Sequence, residues 1–415
     1  MQAENNKNNI QTITFGCRLN AVESEKIAKM LHNIAPRAVV VNTCAVTGEA
    51  ERQSAQYVRR VARENPNIPI FITGCAATHD TTPFAQIPNV RVINNDAKMN
   101  HDAYVRAIAD FDFSGTTDEI HVSNPDKHMS KQFVQIQNGC NHDCTYCITR
   151  LLRGPSVSFE YDAILADVRT AIENGYNEIV LTGVDSASYA KVYDGKPFLI
   201  SDLCRKLLND VPEIRRLRLS SMDPASPEIY KIIDLMHENE RMMPHLHLSM
   251  QSGSDTILRA MRRRHTADKI RDVVKHATGI TFSWDIICGF PGESDELFNE
   301  TLNLVSETRP IKIHAFPFSP RPGTPAATMP NMVEKATAKR RVRAITDAAT
   351  RNRKDFMSAH LGQNVSVLVE ENNTGRTAHD ISVKILGDNV PERTICECKV
   401  IGIDGDEFVV IIPRG

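Results

Sequence analysis

The chain has 415 residues, enough for two or three domains, and its hydrophobic (41%) and charged (24%) fractions are those of an ordinary globular protein. No run of about eighteen or more apolar residues occurs, which excludes a membrane-spanning helix, and the polar start MQAENNKNNI lacks the apolar core of a secretory signal. We therefore expect a cytoplasmic protein, in which the ten cysteines indicate metal binding or catalysis rather than disulfides. The net charge of −2 excludes a globally basic nucleic-acid binder, so an RNA partner would need a local basic surface.

The first hundred residues alternate short apolar runs with amphipathic helical patterns. Helical patterns occur around residues 20–33 and 48–64. Buried parallel strands are predicted at residues 12–14, 38–42, 68–73 and 90–93. Repeated strand–helix units of this kind predict a small open parallel sheet, and we assign residues 10–115 to this first domain.

From residue 132 the same alternation returns at longer spacing. Strand-like runs are predicted at residues 133–137, 178–182, 216–220, 245–249, 284–288 and 311–316. Six such units predict a partial (β/α)6 barrel in residues 126–361, in place of the eight units of a closed barrel. After a helical pattern at 332–360, short alternating strands predict a small antiparallel β-barrel in residues 362–415. The expected fold class is therefore α/β with three domains.

A C-x3-C-x2-C motif follows the first predicted barrel strand and is formed by Cys140, Cys144 and Cys147. Three thiolates on one short loop can bind three irons of a 4Fe–4S cluster and leave the fourth iron open for a ligand. A structural zinc site completed by His142 is the alternative, although zinc ribbons usually combine two paired C-x2-C knuckles. The motif, with Tyr146 before its last cysteine, resembles the cluster loop of the radical S-adenosylmethionine (SAM) superfamily. This resemblance implies that SAM binds the open iron of the cluster.

The same resemblance implies which loops contact SAM. Gly289 and Pro291 belong to a Gly-Phe-Pro-Gly-Glu loop at the end of the fifth barrel strand, and such a loop contacts the adenine in the superfamily. Thr182, Gly183 and Asp185 follow the second strand, where the superfamily receives the methionine amino group. Further candidates for SAM contacts are four polar residues at or near the ends of strands: Arg153, Ser220, Gln251 and Asp285. For each of them, a structural hydrogen bond is the alternative role.

A second set of cysteines, one after each of the first three strands, consists of Cys17, Cys44 and Cys75. Because the carboxyl ends of adjacent parallel strands meet at one edge of a sheet, the three thiols could converge there; three unrelated buried thiols are the alternative. The segments TFGCRLN, VNTCAVT and TGCA around them resemble the N-terminal domain of the methylthiotransferases. The barrel segments LTGVD, RLSSMDP, HLHLSMQSGSD and DIICGFPGE resemble the same family, and the tail TGRTAHDISVKIL resembles its TRAM domain. The resemblance implies that the second set of cysteines holds an auxiliary 4Fe–4S cluster.

The family resemblance also implies a reaction. Cleavage of SAM at the first cluster would give a radical that abstracts hydrogen from carbon 2 of a modified adenine, and a second SAM would methylate sulfur carried on the auxiliary cluster. TFGCRLN and VNTCAVT are most similar to the branch that acts on N6-threonylcarbamoyladenosine at position 37 of tRNA. The alternatives are a methylthiotransferase for isopentenyladenosine in tRNA or for a ribosomal-protein aspartate and, more remotely, a non-catalytic zinc-containing RNA-binding protein.

The expected partners are tRNA and a low-potential electron donor of the flavodoxin or ferredoxin type, with no membrane, and we expect a monomer. Between Glu334 and Asp355, eight Lys or Arg residues accompany three acids, a composition typical either of a solvated helix face or of a surface that follows phosphates. The tail from residue 363 carries nine acids and five bases, which disfavours nonspecific RNA affinity. The remaining four thiols are predicted to be core residues: Cys204, Cys288, Cys396 and Cys398. Cys396 and Cys398 are predicted to point to opposite faces of one strand.

Overall fold

The N-terminal part of the computed structural model, which describes residues 10–113, 120–122 and 129–413, is an open four-stranded sheet. Its strands follow the order β1-β2-β3-β4, and all three pairings are parallel. The prediction of a small parallel sheet is therefore confirmed. The elements are β1 (Ile10–Thr14), α1 (Arg18–Leu31), β2 (Ala38–Thr43), α2 (Gly48–Glu64), β3 (Ile70–Gly74), α3 (Cys75–His79), β4 (Val90–Val92) and α4 (His101–Ala107).

The central strand β2 is buried along its whole length because helices cover both faces of the sheet. Val39 and Val41 pack in one cluster with Val58 of α2, whereas Val40 packs in another with Ile27 of α1. This two-sided burial explains why the strand reads as a continuous apolar run rather than as an alternating pattern.

The middle of the chain contains two parallel sheets, with the orders β11-β8-β5 and β12-β13-β14-β15. Only Ser220 separates β11 from β12, so the two sheets follow one another as six successive strand positions. The prediction of a six-stranded partial barrel is confirmed. The elements are β5 (Gln132–Gln135), β6 (Gln137–Asn138), α5 (Thr149–Arg153), β7 (Val157–Ser158), α6 (Tyr161–Glu173), β8 (Glu178–Thr182), β9 (Ala190–Tyr193), β10 (Lys196–Leu199), α7 (Ile200–Asp210), β11 (Arg216–Leu219), β12 (Ser221–Met222), α8 (Glu228–Glu238), β13 (His245–Gln251), α9 (Asp255–Ala260), α10 (Ala267–His276), β14 (Thr281–Cys288), α11 (Asp295–Thr308), β15 (Lys312–Pro317) and α12 (Lys335–Ser358).

The C-terminal residues form a closed barrel of five strands in the order β16-β17-β18-β20-β19, which confirms the predicted small β-barrel. Four of its pairings are antiparallel, and the pairing of β18 with β20 is parallel. The strands are β16 (Asn364–Glu370), β17 (Thr374–Thr377), β18 (Ser382–Leu386), β19 (Ile395–Asp404) and β20 (Glu407–Ile411).

The prediction that Cys396 and Cys398 point to opposite faces of a strand is wrong. Their sulfur atoms lie 3.5 Å apart, because residues two apart on a strand share one face.

The C-terminal barrel packs against the end of the central barrel at which the strands begin. Arg216, the first residue of β11, donates to the Ser366 hydroxyl (2.9 Å), and Arg218 donates to the carbonyl of Ala378 (3.2 Å). The imidazole of His379 lies 3.1 Å from the carbonyl oxygen of Pro244, directly before β13. The opposite end of the strands, where reactive groups lie in β/α barrels, is therefore left to the cysteine loop and the loops that follow β8 and β14.

The described residues divide into two compact units. The first holds the N-terminal sheet together with residues 139–141 and 147–155, and the second holds the remaining residues from 129 onward. The division into 10–115, 126–361 and 362–415 stays a prediction, and residues 115 and 126 lie outside the described ranges. Within those ranges no helix combines the length and apolar character needed to cross a membrane.

Candidate active site

Three thiols lie at the carboxyl ends of three adjacent strands in the first unit. Cys17 precedes α1, while Cys44 and Cys75 directly follow β2 and β3. Cys17 is exposed, and the other two are buried. Gly16 has a φ of +95°, and a Cβ on it would lie 2.6 Å from the sulfur of Cys44, so the first loop closes tightly over this thiol. The structure therefore brings the predicted ligands of the auxiliary cluster to one edge of the sheet.

The three thiols form a donor set that suits an iron–sulfur cluster. Burial raises the pKa of Cys44 to about 11, and the neighbouring Cys17 and Cys75 act in the same direction. Three thiolates at this edge would repel one another without a cation, and an iron–sulfur cluster binds cysteine in its thiolate form.

A buried ionic network lies beside these thiols. Arg153 donates to a carboxylate oxygen of Glu23 (2.9 Å) and to the Asn20 amide oxygen (2.5 Å), and Lys98 donates to the other Glu23 oxygen (2.6 Å). The side chains of Arg153, Glu23 and Lys98 are at most 2% exposed. Burial alone would raise the pKa of Glu23, but Arg153 and Lys98 hold it below its ordinary value. The Glu23 carboxylate is therefore charged and doubly compensated.

Two asparagines connect this network to the thiols. The amide oxygen of Asn20, which accepts from Arg153, lies 3.8 Å from the sulfur of Cys17. The amide nitrogen of Asn95 lies 3.8 Å from the sulfur of Cys75 and donates to the carbonyl of Leu152 (3.0 Å). These contacts place Arg153 in the surroundings of the N-terminal thiols, and its assignment to SAM stays a prediction.

In the C-x3-C-x2-C loop, Cys140 and Cys147 are assigned to the first unit and Cys144 to the second. In the first unit, the N–H of Cys140 donates to the carbonyl of Gly154 (3.1 Å). In the second unit, a guanidinium nitrogen of Arg263 lies 3.6 Å from the sulfur of Cys144. All three cysteines are half-buried, as ligands of a cluster that must admit SAM would be.

Thr145 fixes the middle of this loop within the second unit. Its N–H donates to the carbonyl of Met261 (3.1 Å), and its hydroxyl donates to the carbonyl of Ala260 (2.9 Å). Its own carbonyl accepts from the N–H of Ala326 (2.8 Å). Three backbone anchors leave this loop little freedom to rearrange.

Two carboxylates lie beside His142 at the ends of β8 and β12. The Nε2 atom of His142 is 2.7 Å from Asp185 and 3.4 Å from Asp223. Asp223 also binds Arg263 (2.9 Å) and Arg264 (2.8 Å). Burial would raise the pKa of Asp223, but the two guanidinium groups hold it below its ordinary value. The imidazole of His142 therefore lies against carboxylates, which are themselves groups that bind zinc.

The other predicted residues after β8 are placed by a glutamine. The side-chain oxygen of Gln137 accepts from the N–H of Asp185 (2.9 Å), and a Cβ on Gly183 would lie 2.8 Å from that oxygen. Thr182 is buried at the end of β8, and the Ser220 hydroxyl lies 3.2 Å from that of Ser186. The Gly at 183 therefore allows close packing between β8 and the strand that precedes the cysteine loop.

The Gly-Phe-Pro-Gly-Glu loop after β14 is shaped by an ion pair beneath it. Gly289 has a φ of +76°, and its N–H donates to the carboxylate of Glu293 (2.6 Å), which also accepts from Arg341 of α12 (2.8 Å). Burial raises the pKa of Glu293. A Cβ on Gly289 would lie 2.6 Å from the Cβ of Ala338, and Pro291 is buried. The backbone of this loop is therefore held by Glu293 and packed closely against α12, and its contact with adenine stays a prediction.

Two further candidates lie on β13 and β14. Gln251 has a φ of +70°, a conformation that a non-glycine residue rarely adopts, next to a shift in strand register. Asp285 lies 3.0 Å from His247, which lies 2.8 Å from the hydroxyl of Ser283. That hydroxyl is 3.0 Å from His245, whose pKa is lowered by burial. His245 is thus a buried, hydrogen-bonded residue, and the contact of Asp285 with SAM stays a prediction.

Four residues that organise these loops are not among the site residues predicted from sequence. Asp223 stands in the RLSSMDP segment at a strand end, and its position alone could have identified it. Glu293 ends the Gly-Phe-Pro-Gly-Glu motif, so only its role was not predicted, whereas Gln137 and Arg263 are recognisable only from their partners in space.

Two families match parts of the chain. The family described as "Radical SAM superfamily" matches residues 134–305, and "Uncharacterized protein family UPF0004" matches residues 9–94. A solved structure of the radical SAM methyltransferase TsrM from Kitasatospora setae is similar in fold, with a TM-score of 0.55 and 14% identity over 74% of this chain and 69% of that one. Fold and thiol motif together define a radical SAM enzyme.

Curated relatives are similar over most of the chain. The threonylcarbamoyladenosine tRNA methylthiotransferase MtaB of Rickettsia prowazekii (strain Madrid E) is 37% identical over 91% of this chain and 92% of its own length. The protein of the same name from Bacillus subtilis (strain 168) is 30% identical over 86% and 84%. The tRNA-2-methylthio-N(6)-dimethylallyladenosine synthase of Erythrobacter litoralis (strain HTCC2594) is 31% identical over 86% and 85%. The chain therefore belongs to the radical SAM methylthiotransferase family, which implies a 4Fe–4S cluster and SAM as cofactors.

Proposed function

We propose that this enzyme methylthiolates carbon 2 of N6-threonylcarbamoyladenosine at position 37 of tRNA, using two SAM molecules and two 4Fe–4S clusters. Modification of tRNA is common to the names of the curated relatives, and the relatives named for threonylcarbamoyladenosine support this nucleoside. A low-potential electron donor of the flavodoxin or ferredoxin type, a cytoplasmic location and a monomeric state belong to the same proposal.

The observation that carries the proposal is the meeting of Cys17, Cys44 and Cys75 at one edge of the first sheet. A radical SAM enzyme needs one thiol trio for its SAM-binding cluster, and Cys140, Cys144 and Cys147 supply it. The second trio provides for a second cluster, which is where a sulfur atom for insertion would be carried. When bound, the two clusters supply an electron to SAM and sulfur to the substrate.

The residues of the chain position and shield these groups. Glu293 and Arg341 hold the Gly289 backbone in the shape that we assign to adenine recognition. Asp223 and Arg263 hold the surroundings of Cys144. Arg153 places a buried cation beside the second trio, where it would offset negative charge on thiolate ligands.

Nucleoside analysis of tRNA tests the substrate. In cells lacking the gene, we expect the methylthiolated threonylcarbamoyl nucleoside to disappear and its unmethylthiolated form to accumulate, as measured by mass spectrometry. The unchanged gene should restore the modification, as should a Cys396→Ser control, whereas Cys44→Ala should not. Persistence of the modified nucleoside in the deletion strain would contradict this substrate, and loss of the dimethylallyl counterpart instead would support the isopentenyladenosine alternative.

Anaerobic reconstitution tests the cofactors. Two four-iron clusters correspond to about eight irons per chain, and a Cys17→Ala/Cys44→Ala/Cys75→Ala variant should keep about four. That variant should still cleave SAM reductively but transfer no methylthio group. A colourless chain that binds zinc at Cys140, Cys144 and Cys147 would overturn the enzyme proposal in favour of the zinc alternative.

A further inference from the structure

Helix α12 exposes a row of six cations, which we call the cationic face: Lys335, Lys339, Arg340, Arg343, Arg351 and Lys354. At about 100° per residue, all six fall within an arc of about 160° around the helix axis. At about 1.5 Å per residue, they extend over about 28 Å along it. The face is therefore a long stripe of positive charge that covers nearly half of the helix circumference.

The other two cations of the helix have structural partners. Arg341 is buried on Glu293, and a guanidinium nitrogen of Arg353 lies 3.9 Å from a carboxylate oxygen of Asp406. In contrast, no member of the cationic face forms an ion pair with any residue in the described ranges. Asp347 is the one exposed acid of the helix that lies between these cations, and Asp355 is paired with Arg309. The stripe thus keeps a large excess of uncompensated positive charge.

The position of α12 connects the two ends of the second unit. Near its start, Ala338 adjoins Gly289 of the loop that we assign to SAM. Near its end, Arg353 donates to the backbone carbonyl of Asp406 in the C-terminal barrel. The cationic face consequently runs along the outside of the barrel, from the catalytic ends of the strands toward the tail.

The C-terminal barrel itself has few cations free to bind RNA. Arg376 lies within 3.7 Å of carboxylate oxygens of Glu370 and Asp380, and Arg393 stacks on the ring of Tyr176. This leaves the exposed residues Lys384 and Lys399 among the described part of the tail. A phosphate-binding surface on the second unit is therefore better provided by α12.

The chemistry of the stripe favours nucleic acid over protein. No large hydrophobic side chain is exposed between Lys335 and Ser358, all of which the structure describes. Protein interfaces usually contain an apolar or aromatic core, whereas contacts to a phosphate backbone need only cationic donors in a row. We propose that the cationic face of α12 binds the phosphate backbone of the tRNA substrate. This inference rests on the proposed function.

The neighbouring helix sets one border of this surface. Helix α11 packs against α12 and exposes four acids, of which Asp295 is paired with Arg341 and Glu307 with Arg271, leaving Glu296 and Glu300 outside these ion pairs. Phosphates would be repelled on α11 and attracted on α12, so the two helices together orient the bound backbone along the stripe.

Salt-dependent binding of unmodified tRNA to the reconstituted enzyme tests the proposal. We compare Lys339→Gln/Arg343→Gln/Lys354→Gln with a control, Lys196→Gln/Arg215→Gln/Lys275→Gln, which removes the same charge from exposed sites outside α12. Each cation that contacts a phosphate contributes about 0.7–0.9 to the slope of log K against log salt concentration. The α12 variant should lose roughly two units of slope and bind at least about tenfold more weakly at 50 mM salt, and the control should match the unchanged enzyme.

A charge-preserving variant, Lys339→Arg/Arg343→Lys/Lys354→Arg, distinguishes lost charge from a damaged helix and should bind with the unchanged slope. Equal slopes for the α12 variant and the control would overturn this inference alone. Absence of tRNA binding by the unchanged enzyme would overturn the proposed function as well. If the α12 variant bound tRNA normally but was reduced more slowly by a flavodoxin-type donor, the cationic face would be assigned to an acidic protein. This result would also overturn the inference.

Discussion

Replacing Arg153 by methionine tests the buried network beside Cys17, Cys44 and Cys75. The substitution keeps an unbranched side chain but removes the cation from Glu23 and Asn20. Removing one member of a buried ion pair costs about 3–5 kcal/mol, because the remaining charge is left without compensation. Glu23 keeps Lys98 as a partner, so we expect the lower end of this range, about 3 kcal/mol in the stability of the first unit.

Hydrogen exchange measures this loss locally, which avoids treating a chain of several units as a two-state system. Protected amides of β2 should exchange about a hundredfold faster in Arg153→Met, since about 1.4 kcal/mol corresponds to a factor of ten. Arg59→Met, at an exposed position of α2 in the same unit, is the control and should change exchange little. If the two variants accelerate exchange equally, the buried ion pair does not stabilise the unit and the reasoning is refuted.

Two further perturbations address the set of Cys17, Cys44 and Cys75 and the tail. Gly16→Ala would place a Cβ 2.6 Å from the Cys44 sulfur, so the reconstituted variant should lack about four of about eight irons. The control is Gly175→Ala, because Gly175 also has a positive φ (+80°) but no atom lies within 4 Å of the added Cβ. This control should lose no iron. Full iron content in the first variant would contradict the proposed cluster. Burial lowers the pKa of His379 to about 4, so the unfolded chain binds a proton that the folded chain excludes. The contribution of neutral His379 to the stability of the tail is fully present above about pH 6.5 and is lost as pH falls toward 4. The tail should therefore melt at a lower temperature at pH 5 than at pH 7. His379→Gln should weaken this pH dependence of the melting temperature. An identical pH dependence in the variant would assign the effect to another group.

The features that sequence predicted best are those governed by local pattern. Parallel strands that are buried on both faces, such as β2, appear in the sequence as continuous apolar runs. The carboxyl ends of adjacent parallel strands lie at the same edge of the sheet, and this holds for any side-chain packing. This is why the approach of Cys17, Cys44 and Cys75 was predictable although no two of them are near one another in the sequence. The C-x3-C-x2-C motif was predictable because its spacing is itself the chemical requirement.

The features that sequence could not predict depend on contacts over long separations. Arg153 meets Glu23 across 130 residues, and nothing in the local pattern distinguishes it from an arginine that contacts SAM. Arg218 reaches a carbonyl of the tail across 160 residues. The shared face of Cys396 and Cys398, in contrast, follows from the two-residue period of a strand and depends on no distant contact.

The attachment of the C-terminal barrel has a consequence for engineering. Lys131, Arg216 and Arg218 are at most 8% exposed, and each of them interacts with the C-terminal barrel across this junction. Truncating the chain after α12 would uncover these charges together with the apolar side chain of Ile311, which packs in the core of the tail. A shortened enzyme would therefore lose solubility and barrel integrity along with any RNA affinity of the tail. Grafting the tail of a relative onto this barrel would succeed only if the graft kept the side chains of Ser366 and Asp380 and the position of the backbone carbonyl at residue 378.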